Sequence, residues 1–72
     1  MKKEKNYYIA KVLFENRHRS ILALETSYTD EVFVISCLQS WSRIYTGMEL
    51  KVLNLSSCCY DDYIGFTTKI NW

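Results

Sequence analysis

Seventy-two residues with a net charge of +1 make one small domain, and a chain of this length buries only about 60% of the surface its unfolded form exposes. Apolar residues at 49% and aromatic residues at 15% exclude an intrinsically disordered chain. The near-neutral balance excludes the global field that a strongly basic nucleic-acid binder or an acidic mimic of DNA carries, so any charge effect is local.

Residues 1–5, with Lys2, Lys3 and Lys5, read as a flexible basic tail. From Tyr7 to Glu15 the side chains alternate. Tyr8, Ala10, Val12 and Phe14 form a wholly apolar face, and Tyr7, Ile9, Lys11, Leu13 and Glu15 a mixed one, which predicts a half-buried strand. Asn16, Arg17, His18 and Arg19 are a polar turn. Ser20 to Thr26 then resumes the alternation with Leu22 and Leu24 as core residues, so the first two strands form a hairpin.

Ser27, Thr29, Asp30 and Glu31 supply a helix start, with caps for orphan amides and acids where the macrodipole favours them. Phe33, Val34, Cys37, Leu38, Trp41, Ile44 and Tyr45 fall in one arc of roughly 140°. Arg43 and Gly47 provide the stop. The run Val32-Phe33-Val34-Ile35 suits a strand as well, which keeps an all-β small barrel as the structural alternative.

Met48 to Leu55 alternates again, with Met48, Leu50 and Val52 against Glu49, Lys51 and Leu53. Ser56 to Asp62 reads as a polar loop, and Tyr63 to Trp72 as a last strand with Ile64, Phe66, Thr68, Ile70 and Trp72 on one face. The order ββαββ predicts an α+β domain spanning 1–72, an antiparallel four-stranded sheet with one helix packed on one face.

No residue pattern points to catalysis. His18 is the single histidine and sits between two arginines without an orienting carboxylate. The Asp61-Asp62 pair lacks the further carboxylates a metal site needs, and two glycines, Gly47 and Gly65, make no phosphate-cradling loop. Cys37, Cys58 and Cys59 offer no CxxC pair, no zinc spacing and no flanking cation to activate a thiol. The expectation is a protein that is not an enzyme and carries no cofactor or metal. No secretory cleavage site follows the basic opening, and no segment approaches the ~18 apolar residues of a membrane span. A reduced, cytoplasmic protein without a membrane partner is therefore expected.

What remains is the mixed face. If one helix covers one side of the sheet, the other side is bare and carries Tyr7, Ile9, Leu13, Ile21, Leu53 and Tyr63 as an apolar patch, with Lys11, Arg17, Arg19 and Lys69 about it. Apolar anchors rimmed by charge suit a protein interface. Those cations, with Lys51 and the tail lysines Lys2, Lys3 and Lys5, form a basic stripe that beside Tyr7 and Tyr63 as stacking platforms suits a small nucleic-acid-binding regulator. Glu15, Glu25 and Glu49 oppose that alternative by pairing with the lysines as cross-strand ladders, which is the favoured reading of the charges. A homodimer joined by sheet faces or by a Tyr63–Trp72 edge strand is a further alternative.

In its size, its ββαββ order and its lack of a catalytic constellation, the whole chain resembles the small anti-CRISPR and other anti-defence proteins of phages and mobile elements. A sequence rich in Lys, Asn, Ile and Tyr fits such an AT-rich origin. The resemblance implies stoichiometric inhibition, in which the domain docks on a host protein or nucleoprotein complex and blocks nucleic-acid access or a conformational step. The near-neutral charge departs from the acidic DNA mimics of that group and favours shape-specific docking.

Overall fold

The computed structural model describes residues 5–72; residues 1–4 of the predicted tail lie outside the described residues. β1 (Asn6–Phe14) and β2 (Arg19–Thr26) form the expected hairpin, pairing Tyr8 with Leu24, Ala10 with Leu22 and Val12 with Ser20. This register puts the apolar face of β1 and the leucines of β2 on the same side, where Ala10, Val12, Leu22 and Leu24 are buried. In the turn, Arg17 N–H donates to Phe14 O at 2.8 Å and His18 N–H to Asn16 Oδ1 at 3.0 Å. Closing it forces Arg17 into the left-handed region at φ 68°.

α1 (Glu31–Tyr45) lies across that apolar side. The Asp30 side chain accepts from Val32 N–H at 2.9 Å, and this cap, with Glu31 in the first turn, starts the helix through the β-branched run. The sheet stays open, so the structure is α+β and not a barrel. Val34, Cys37, Leu38 and Ser42 are buried, with Trp41 packed beside them. Phe33, Ile44 and Tyr45, expected in the same inward arc, are more than half exposed, at 55%, 66% and 70%. They lie toward the two margins of the arc, where Phe33 meets the exposed Tyr28 ring at 5.7 Å and Tyr45 the Trp41 ring at 6.0 Å. Gly47, left-handed at φ 71°, ends the helix by donating to the Ser42 and Arg43 carbonyls. The buried Ser42 hydroxyl donates to Met48 O at 2.8 Å.

The second half of the chain departs from the expected hairpin. β3 (Leu50–Cys58) runs through Ser56 and Ser57, which were read as loop, and pairs antiparallel with β1. The expected strand from Tyr63 to Trp72 is instead a short helix, α2 (Tyr60–Ile64), followed by a three-residue strand, β4 (Lys69–Asn71). Asp61 and Asp62 in the first turn favour the helix, and Gly65 closes it by donating to Asp62 O at 3.2 Å. β4 pairs with β2, placing Leu24 beside Ile70, and the pairing is parallel. The sheet is therefore mixed, in the order β3-β1-β2-β4, where an all-antiparallel sheet was expected. The parallel pairing follows from the connection: the chain leaves one edge of the sheet at Cys58, crosses the face opposite α1 as α2, and reaches the far edge running as β3 ran.

Candidate interaction surface

The face opposite α1 is a grid set by register. From the hairpin turn outward, its rows are Lys51–Leu13–Arg19, then Asn54–Lys11–Ile21, then Ser56–Ile9–Ala23–Lys69, and last Cys58–Tyr7–Glu25–Asn71. α2 divides this grid into a covered end and an open end.

At the covered end Tyr7 packs against Tyr63 at 5.1 Å and against Tyr60 at 5.4 Å between ring centroids. Tyr63 is buried and Tyr7 half-buried, and the Tyr63 hydroxyl reaches Ile70 O at 3.5 Å. Burial, and then the neighbouring Glu25 carboxylate, raises both phenols above the usual tyrosine value. The sequence reading places Tyr7 and Tyr63 together, and they are together. Tyr63 comes down from α2 onto Tyr7 with the rings tilted at 45°, however, and the pair forms no bare stacking platform. Ile9 is half-buried in the next row.

The open end begins at Lys11. Its cross-strand neighbours are Ile21 and Asn54, and Leu13 lies between Arg19 and Lys51. A β-bulge between Val52 and Asn54 leaves Leu53 without a partner on β1 and turns it toward Lys11 and Ile21. Lys11, Arg19, Ile21 and Leu53 line a shallow hollow of about 340 Å³, in which Ile21 and Leu53 are each nearly half exposed. A second hollow of about 280 Å³ continues past Leu13 to the hairpin turn, where Arg17 and Lys51 line it together with Glu15 and Glu49.

The expected cross-strand ion-pair ladder does not form. Glu15 Oε1 accepts from Glu49 N–H at 3.0 Å, Glu49 pairs with Arg43 at 3.6 Å, and Glu25 lies in the far row beside Tyr7. Among the described residues Lys11, Arg17, Arg19, Lys51 and Lys69 have no carboxylate partner. Register explains this, because the residues opposite Lys11 and Leu13 are fixed by β1–β3 pairing, which alternation alone does not reveal. Lys69 stands apart from the other cations on β4, where its Nζ donates to Phe66 O at 2.7 Å. Lys51, which the sequence reading places in the basic stripe through the mixed face of the third strand, joins the surface beside Leu13.

The remaining candidate chemistry is dispersed. His18 stacks on Phe14 at 6.2 Å, and Cys59 Sγ donates to Asp62 Oδ2 at 3.3 Å. Among the described residues no group of three His, Cys, Asp or Glu is placed to hold a metal ion, and no helix is long and apolar enough to cross a membrane.

No family model, curated protein or solved structure matches this chain.

Proposed function

We propose that the protein is a non-catalytic binding module, an inhibitor or adaptor that docks on a partner protein through the open half of its sheet face. The observation that supports this is the contiguity of Leu13, Ile21 and Leu53 about Lys11, with Arg19 and Lys51 at the margin and Glu15 and Glu49 confined to the turn end past Leu13. An aliphatic centre with a charged rim is the anatomy of a protein interface. The unpaired cations also favour the second reading, a nucleic-acid-binding regulator. Sequence-tolerant binding of single strands uses open aromatic faces, however, and Tyr7 and Tyr63 are packed against each other, with Tyr63 buried. A phage anti-CRISPR-type inhibitor acting in the cytoplasm on a host nuclease complex is the specific form that the resemblance in size and in lack of a catalytic constellation implies; the order ββαβαβ departs from the ββαββ order of that resemblance.

The test is photocrosslinking in nuclease-treated lysate of the source cells, with a photoreactive residue at Ile21 and, as a control, at the exposed Val32 of α1. The expected result is a discrete protein adduct from position 21 that is lost in Leu53→Glu and absent from position 32. Adducts from position 32 alone, or adducts that disappear with nuclease treatment, overturn the proposal.

A further inference from the structure

We infer that the partner contributes an extended acidic segment, which adds as a strand to the free edge of β2. This rests on the protein-docking reading above and specifies how the partner is held. β4 pairs only with Ala23, Leu24 and Glu25, so the first half of β2, Arg19 to Leu22, has no strand on that side. Ala23 N–H donates to Thr68 O at 3.1 Å, and Glu25 O accepts from Trp72 N–H at 2.9 Å. The odd-numbered residues of β2 therefore turn their backbone polar groups toward this edge. Strand alternation then directs those of Arg19 and Ile21 the same way. The chain before Thr68 does not reach them, because Gly65 and Phe66 donate back to Asp62 and Tyr63.

Exposed edges are ordinarily blunted by proline, a bulge or a covering segment. β3 has such a device in the bulge at Leu53, whereas β2 holds a continuous register with β1 and the chain contains no proline. A guest strand on this edge sets its alternate side chains beside Arg19 and Ile21, on the open face. It meets a cation and an aliphatic group in alternation, with Lys11 one strand further in. The complementary sequence therefore carries a carboxylate and an apolar residue two positions apart, on the same outward face of the guest strand. A second copy of this chain brings the same cations to the contact, and like charges directly opposite are destabilising. A phosphate backbone carries no peptide N–H to pair with the carbonyls of the edge.

The test is an amide NMR titration of the whole 15N-labelled chain with a short synthetic Glu/Val peptide of repeat Glu-Thr-Val-Thr, which sets Glu and Val in alternation on one face of a strand. Its comparison arms are a Lys/Val peptide, oligothymidylate and a concentration series of the protein alone. The expected result is that the Glu/Val peptide shifts the Arg19 and Ile21 amides most. Its affinity falls as salt rises, drops about tenfold in Arg19→Glu and is largely kept in Arg19→Lys. The inference is overturned by absence of binding, by equal binding of the Lys/Val peptide, or by shifts centred on β3 or α1. It is equally overturned if oligothymidylate binds more tightly, or if the same shifts arise on self-association. Each of these results leaves an Ile21 protein crosslink standing, so failure here is distinct from failure of the docking reading.

Discussion

Arg17 adopts a left-handed conformation in a side chain with nothing to gain from it locally. That conformation costs a non-glycine residue about 1–2 kcal/mol, while glycine costs about 0.5–1 kcal/mol in extra unfolded-chain freedom. Arg17→Gly is therefore expected to stabilise the fold by about 0.5–1 kcal/mol, read as a higher urea midpoint with an unchanged slope. The turn itself was legible, since Asn16 beside Arg17 marks a polar reversal and Asn16 Oδ1 does bond within it. Which residue carries the positive φ was not legible. It depends on how Phe14 and His18 pair across the hairpin, and that is a consequence of register.

Among the elements, α2 changes the meaning of the sheet face most. Five residues lie far below the length at which a helix is stable alone, so α2 exists by packing. Its anchor is Tyr63, held between the Tyr7 and Tyr60 rings and reaching the Ile70 carbonyl of β4. Tyr63→Ala is expected to cost about 3 kcal/mol, in the range of large aromatic truncations. It should also accelerate hydrogen exchange at the Ile70 and Trp72 amides more than at β1, because β4 loses its support. Equal acceleration in both strands would mean that α2 and β4 do not form a separable unit. The first hairpin was readable because its apolar period matches the burial it meets, and α1 because of its caps and the buried Val34, Cys37 and Leu38 of its arc, while Phe33, Ile44 and Tyr45 toward the arc's margins stay exposed. The last third was not, because Ile64, Phe66, Thr68, Ile70 and Trp72 alternate by chance of composition across a helix, a turn and a strand. The acids at Asp61 and Asp62 and the glycine at Gly65 were the contrary signal, and a strand of three residues leaves little pattern to find.

For the whole molecule, a net charge of +1 conceals an uneven distribution. Lys11, Arg17, Arg19 and Lys51 gather around the open end of the sheet face and its turn, with Glu15 and Glu49 beside them, while Asp30 and Glu31 start α1 and Asp61 and Asp62 start α2. The sequence contained these charges but not their separation, which arises only when β3 and β4 take opposite edges. The separation limits what a polyanion can gain. If all four cations of the open end neutralised phosphates, log affinity for duplex DNA would fall with log salt at a slope no steeper than about −4, since each contact contributes about −0.9. Weak, sequence-independent binding with that shallow slope is the expected result of fluorescence polarisation with random duplex and single-stranded probes, and it should be abolished by the double change Lys11→Glu/Arg19→Glu. A steeper slope, with affinity retained at physiological salt, requires more phosphate contacts than this surface can make. Such a result would move the functional surface away from the aliphatic hollow between Ile21 and Leu53 and favour the nucleic-acid reading over protein docking.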